Sequence, residues 1–258
     1  MGGGAVKKNF LPMIKKAPPG HRLVETEDGS VSFYSEKFQE NGHSTSGARE
    51  ETLLHYIQGC EILEKSLHHS PLHILEVGFG LGVGFLTTLE VMPQDRKWLF
   101  VSLESEIELL DWFIEQHPEF SFYWQENLLC VDSTSFQLRI IYGDARAEYP
   151  KFIQQYPIKF HAIYQDAFSP KKSPSLWATE WFSLLKTSAH PEVTLSTYSS
   201  SSSIRKSLHQ AGWTLFEGGR FGKKRSSTRA RLVGTTSSEI LQQLQRSPAK
   251  AIEDHDLI

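Results

Sequence analysis

The 258 residues, 39% hydrophobic and 22% charged, suit one α/β domain with a sizeable core and exclude a largely disordered chain. A formal net charge of −3 excludes a generally basic nucleic-acid binder, so any nucleic-acid contact must come from a local patch. Only two cysteines occur, Cys60 and Cys130, far apart and without metal-ligand spacing. They point to a reducing compartment and away from a disulfide framework or a zinc site.

In chain order, residues 1–20 are rich in Gly, Lys and Pro and read as a flexible lead-in; the start MGGGAVKKNF lacks the apolar core of a signal peptide. No apolar run reaches the length of a membrane span, so a cytoplasmic protein is expected. The stretch HRLVETEDGSVSFYS holds two short β-type runs around Asp28-Gly29, a hairpin signal. From Ala48 the apolar residues Leu53, Leu54, Ile57, Ile62 and Leu63 recur at helical spacing, predicting one helix to about Leu67. Residues 21–70 are thus expected to pack as an N-terminal hairpin and helix on a main domain spanning 71–240, followed by a C-terminal tail, 241–258.

Within 71–240, β-type runs at 73–79, 98–104, 138–144, 160–168 and 193–198 alternate with amphipathic segments near 82–92, 105–117, 145–155, 175–187 and 201–211. Strand, helix, strand repeated in this way predicts a Rossmann-like fold, a mostly parallel seven-stranded sheet with helices on both faces. The run 118–135 is too long for an ordinary connection and reads as an insertion beside the sheet edge. WTLFEGG and ARLVGTT are candidate closing strands with a basic loop between them.

The first central strand runs into Glu76-Val-Gly78-Phe79-Gly80-Leu-Gly82-Val-Gly84. Glycine is needed where backbone turns with positive φ and a ligand must approach without a Cβ in the way. The helix that follows offers free N–H groups to an anionic or carbonyl-rich ligand. Such a turn alone does not separate NAD, FAD and S-adenosylmethionine. The acidic residue two places before the first glycine, and the mid-chain position, favour S-adenosylmethionine. Glu104, at the end of the next strand, can accept both ribose hydroxyls; a solvated strand end, with Glu106 and Glu108 as alternates, is the competing account. Asp144 can accept from an adenine amino group while the Ala145 backbone reads the ring edge, or it can simply cap a helix.

The fourth strand closes in Asp166-Ala-Phe168-Ser-Pro170. Ligands of open parallel sheets bind beyond the carboxyl ends of strands near the topological switch point, where Asp166 would face the glycine turn. A carboxylate there can orient an amine nucleophile, accept its proton or stabilise the cationic product. Asp166 as a helix cap is the alternative. Phe168 could wall a cofactor or, like Trp177, stack on a base; Trp177 and Trp181, at i and i+4, read better as core residues. The sequence has no GxSxG elbow, HExxH or Walker lysine motif, and the eleven histidines look scattered, so no metal is expected.

DAFSPKKSPSLWATEWFSLL (166–185) resembles the Asp-x-Phe-x-Pro-x-x-Asn-Pro-x-x-Trp signature of the methyltransferase domain of the bacterial bifunctional enzyme that makes 5-methylaminomethyl-2-thiouridine in tRNA. The stretch around AREETLLHYIQG, the turn LEVGFGLGVGFL and the segment from LSTYSSSSS to GRFGKKRSSTRA are similar to the same family, so the likeness covers roughly residues 30–235. It implies a class I S-adenosylmethionine-dependent methyltransferase fold and N-methylation of an aminomethyl group on the wobble uridine of tRNA. It implies that Glu51, Glu76, Gly78, Phe79, Gly80, Gly82, Glu104, Asp144, Ala145, Asp166 and Phe168 line the cofactor cleft, with Asp166 facing the amine and Pro170 near the substrate. Ser173 stands where the signature has Asn. The family's FAD-dependent oxidase domain has no counterpart among these residues, which leaves a separate oxidase chain to supply the precursor.

Arg220-Phe-Gly-Lys223-Lys224-Arg225 is the densest positive cluster. Phosphate contacts from Arg220, Lys223, Lys224 and Arg225 would give salt-dependent RNA affinity; a solvated hairpin is the bland account. A small-molecule amine methyltransferase or an aminopropyl-transferring enzyme would use the same cleft, and a non-catalytic binding protein could retain it.

Overall fold

The computed structural model describes residues 16–221 and 226–257; Lys223, Lys224 and Arg225 of the basic cluster lie outside the described residues. Strands β1 (His21–Glu25), β2 (Val31–Ser35) and β3 (Glu40–Asn41) form a small antiparallel sheet. The β1–β2 turn is organised by Asp28, whose carboxylate accepts from Thr26 Oγ1, Ser30 Oγ and the amides of Ser30 and Glu50. Gly29 takes the positive φ of +78° that this turn needs.

The single helix expected after Ala48 is instead three pieces. Helix α1 (Ala48–Thr52) widens into a π-helical stretch, Leu53–Gln58, and after a break at Glu61, in the left-handed region at φ 58°, α2 (Ile62–His68) begins. The apolar spacing carries through all three, which is why the break is invisible to periodicity. π-Turns cluster at functional sites because the extra residue redirects a side chain. Here Tyr56 is aimed into the sheet, its ring stacked on Tyr164 with centroids 5.0 Å apart.

The main sheet alternates with helices as expected: β4 (Leu72–Val77), α3 (Val83–Val91), β5 (Trp98–Glu104), α4 (Ile107–Gln116), then β6 (Phe122–Gln125), β7 (Leu128–Asp132) and β8 (Phe136–Tyr142). It continues through α5 (Ala145–Gln155), β9 (Phe160–Gln165), a 3-10 turn Pro174–Trp177, α6 (Thr179–Thr187), β10 (Ala189–Thr197) and α7 (Ser202–Gln210). β11 (Thr214–Glu217), β12 (Thr228–Arg231) and α8 (Ser238–Arg246) complete it. Among the described residues the sheet has nine strands rather than seven, ordered β11-β12-β10-β9-β4-β5-β8-β7-β6. The five strands from β10 to β8 are parallel; β12 and the β6–β7 hairpin pair antiparallel at the two flanks. The two extra strands are the 118–135 insertion, which extends the sheet beyond β8.

Period-2 alternation divides the core into two layers. On β9, Ile163 faces the layer containing Tyr149, Trp177, Trp181 and Trp213, whereas Ala162 and Tyr164 face that of Tyr56, Phe85, Phe100 and Phe113. Each such aromatic, removed from water, contributes on the order of 2–3 kcal/mol. The chain leaves β4 to one side toward β5 and returns to its other side as β9, so the strand order reverses between β4 and β9. A crevice at the carboxyl ends of these two strands is the consequence.

Candidate functional site

A cleft of about 290 Å³ occupies that crevice. Its floor is Val77-Gly78-Phe79-Gly80, leaving β4; its sides are Leu103–Ser105 after β5, Gly143–Ala145 after β8 and Asp166–Phe168 after β9. The β1–β3 sheet and the segment after it form the roof, with Phe33, Phe38, Gly42 and His43. Phe38 stacks on Phe168 at 4.4 Å, and Phe33 meets it edge-on at 6.0 Å.

The glycine turn and Asp166 are packed against each other. The Asp166 amide donates to the Val77 carbonyl at 3.1 Å. Gly78 has φ +98°, and a Cβ there would lie 2.8 Å from the Asp166 carbonyl oxygen, so this backbone approach admits no side chain. Gly82 (φ +77°) precedes α3 and is packed against Phe113 and Phe79, outside the cleft lining.

Glu104 lines the cleft and is 8% exposed. Its carboxylate accepts the amides of Gly80 at 2.9 Å, Ser105 at 2.7 Å and Glu106 at 2.9 Å. Burial raises this carboxyl above its usual range, while the three amides pull it back. The alternate Glu106 is committed elsewhere, to His21 Nε2 at 3.0 Å and Lys37 Nζ at 3.3 Å. Asp144 lines the cleft and caps α5, accepting from the amides of Arg146 and Ala147 at 2.8 and 3.1 Å.

Asp166 is not the cap of the turn that follows, whose N-terminal position Ser173 holds. Its Oδ1 accepts from Tyr56 Oη at 2.6 Å, and its Oδ2 lies 3.7 Å from His43 Nε2. Burial first, then the Asp166 charge, pushes the Tyr56 phenol well above its usual range, so it remains a donor. Tyr198 Oη donates to the Ala167 carbonyl at 2.9 Å, and Trp177 Nε1 to that of Phe168 at 2.7 Å, tying down both residues after Asp166. Trp177 and Trp181 are fully buried core residues, so neither is a base platform.

Two expected residues stand behind the cleft rather than on it. Glu76 is buried under the turn, accepting from Ser102 Oγ at 2.8 Å, and its Oε1 occupies the space a Cβ on Gly84 would fill. Burial pushes its carboxyl well above the ordinary range. Glu51 accepts the Ser44 amide at 2.9 Å, bracing the loop that carries His43. Pro170 and Arg220 are also outside the cleft lining. The residues that motif reading missed are His43 and Tyr56, both of which approach Asp166.

The histidines are less scattered than they look in the sequence. At the opposite end of the sheet, ring nitrogens of His69, His161 and His190 lie within 4.8 Å of one another. Nδ1 of His161 accepts the His73 amide at 3.0 Å and Nδ1 of His190 that of Glu192 at 3.2 Å, which leaves the hydrogen of each neutral ring on Nε2. His161 packs against His69 and His190 with the ring planes tilted by 32° and 39°, centroids 4.1 and 4.4 Å away. Among the described residues no helix is long and apolar enough to cross a membrane.

Residues 110–233 match a family described as S-adenosyl-L-methionine-dependent methyltransferase. The chain is 30% identical over 231 residues to the tRNA 5-methylaminomethyl-2-thiouridine biosynthesis bifunctional protein MnmC of Azoarcus sp., covering 82% of this chain and 35% of that protein. It is 26% identical over 226 residues to an uncharacterised protein of Methanocaldococcus jannaschii, covering 84% of this chain and 61% of that one. The solved structure of MNMC2 from Aquifex aeolicus superposes with a TM-score of 0.74 at 29% identity, covering 96% of this chain and 83% of that one. The chain therefore spans about a third of the length of the bifunctional relative and most of the solved single structure.

Proposed function

We propose that this chain, an S-adenosylmethionine-dependent methyltransferase akin to the methyltransferase domain of MnmC, methylates the aminomethyl group of the wobble uridine of tRNA. The observation that carries the reading is Asp166, clamped by Tyr56 at the switch point and in backbone contact with the Gly78 turn inside the cleft. The residues present fit the cofactor. Gly78 lets the turn close on the Asp166 backbone where a Cβ would not fit, Glu104 offers a carboxylate to a diol, Asp144 and Ala145 edge the cleft, and Phe168 closes it. When bound, S-adenosylmethionine supplies an electrophilic methyl group on a sulfonium.

The chain's own contribution is alignment, exclusion of water and handling of the amine. Methyl transfer from a good leaving group depends chiefly on holding nucleophile and electrophile in line. The aromatic roof of Phe33 and Phe38 over Phe168 keeps water from the reacting centre and strengthens the charge interactions beneath it. The anionic Asp166 attracts and orients a cationic aminomethyl group. Arg220 and the basic residues after it supply phosphate contacts to tRNA. An oxidase step before this one supplies the aminomethyl precursor, and a tRNA substrate fits a cytoplasmic enzyme.

Labelled cofactor and tRNA carrying the unmethylated aminomethyl group test this directly. Label should enter the RNA, and Asp166→Ala should cut turnover by at least about 10²-fold while cofactor affinity stays within about tenfold. Label on polyamines alone would select a small-molecule amine enzyme instead.

A further inference from the structure

The amine that a methyltransferase uses must first lose a proton, because an ammonium nitrogen has no lone pair. A lone aspartate is a weak acceptor for it. An ordinary imidazole holds a proton several hundred-fold more tightly than an ordinary aspartate carboxylate, with reference pKa values of about 6.5 and about 3.9. One imidazole stands in the cleft beside Asp166. His43 comes from the segment between β3 and α1, lines the cleft, and is nearly buried, at 8% side-chain exposure. Its Nδ1 is 3.0 Å from Ser32 Oγ, and its Nε2 is 3.7 Å from Asp166 Oδ2.

We propose that His43 Nε2 accepts the proton lost by the substrate amine, with Asp166 as its carboxylate partner and Tyr56 as the residue that positions Asp166. The proposal rests on the amine-methylation reading given above. With Nδ1–H donating to Ser32 Oγ, the Nε2 lone pair is directed to the Asp166 side of the cleft. In the step, an N–H bond of the substrate ammonium breaks and its electron pair stays on the amine nitrogen. The proton forms the Nε2–H bond, and the resulting imidazolium faces the Asp166 carboxylate. Tyr56 holds Oδ1 at 2.6 Å, which turns Oδ2 toward His43.

The surroundings favour a cation at this point. Glu40, bonded to Ser169, and Glu51, bonded to the Ser44 amide next to His43, join Asp166, Glu104 and Asp144, with Lys172 as the cation on the cleft wall. The phenols of Tyr56 and Tyr198 are pushed well above their usual range, burial being the largest cause, and stay neutral.

The test is a pH profile of methyl transfer to aminomethyl-bearing tRNA, together with NMR titration of the His43 ring in the full chain without cofactor. His43→Gln should lower kcat about 10²-fold near neutral pH, with the deficit shrinking as pH rises toward 10 and the amine deprotonates unaided. The KM for S-adenosylmethionine should stay within about threefold of wild type. Tyr56→Phe should give a smaller loss with a displaced acid limb. In the NMR arm, Asp166→Asn should lower the His43 titration midpoint by about one pH unit or more. An active wild type whose pH profile survives His43→Gln, or loses the same factor at every pH, overturns the role of His43. So does a His43 midpoint that ignores Asp166→Asn. A wild type that methylates no amine overturns the functional reading, and with it the source of the proton.

Discussion

Gly78 shows how a single residue can shape the cleft. Its φ of +98° is open to glycine, and a methyl group added there would meet the Asp166 carbonyl, an immobile backbone atom, at 2.8 Å. Gly80 differs: at φ +56° its added Cβ would meet only the Phe33 ring, at 3.0 Å, and a ring can shift. Gly78→Ala should therefore distort the turn, at a cost on the order of 1–3 kcal/mol, and weaken S-adenosylmethionine binding by at least about tenfold in calorimetry. Gly80→Ala should do markedly less. Equal affinities for both variants would show that the approach of Gly78 to Asp166 does not shape the cleft. These glycines, with Glu104 and Asp166, were readable because each ends a strand, and strand ends are recognisable from local pattern. Tyr56 and His43 were not. Tyr56 reaches Asp166 across 110 residues of sequence and reads locally as one more apolar position of a helix. His43 sits in a polar loop with no motif around it.

The elements themselves were largely legible, since alternation of buried β-runs with amphipathic segments needs only local information. What escaped that reading is tertiary: the π-helical widening before Gly59, the pairing of the 118–135 insertion onto β8, and the clustering of histidines where β4, β9 and β10 begin. That cluster makes a prediction about pH. His161 is buried against His69, His190 and His73, with Lys65 Nζ on its own carbonyl. Burial, then the charges of these neighbours, pushes its pKa down to about 3; His73 and His190 are also lowered, and Glu192, paired with His69, is the nearby anion. A group with a folded pKa below its unfolded value of about 6.5 binds more protons when unfolded. Its contribution is present in full above pH 6.5 and is lost as pH falls from there toward 3. At pH 5 the loss for His161 alone reaches up to about 2 kcal/mol. Thermal melting should accordingly drop between pH 6.5 and 5. His161→Asn, whose carbonyl can still accept the His73 amide, should flatten that drop; an unchanged slope would remove the cluster as its source.

At the scale of the whole molecule, the sheet register sets the end of β11 and the start of β12 at the same rim as the cleft. Thr197, at the end of β10, pairs with Thr228, and Thr228 pairs with Glu217. The β11–β12 loop therefore leaves the sheet at the carboxyl end of β10, the same end at which β4 and β9 open into the cleft. Arg205 of α7 fixes the base of this loop, donating to Thr228 Oγ1 at 3.0 Å and to the Ser227 carbonyl at 3.1 Å. In a chain of net charge −3, binding of a polyanion depends on such a local concentration of cations rather than on the overall field. Each cation that contacts a phosphate displaces roughly one condensed counterion, so its removal should reduce the steepness with which affinity falls with salt. Replacing Lys223 and Lys224 together by Ala should weaken tRNA binding strongly at low salt and little at high salt, lowering the slope of log K against log salt by up to about two. Cofactor affinity should be unaffected, because the cleft is built by the segments that follow β4, β5, β8 and β9, to which neither lysine belongs. A loss of RNA affinity that is the same at every salt concentration would mean that the loop supports the fold rather than contacting phosphate, and the RNA would then have to be held by another face of the molecule.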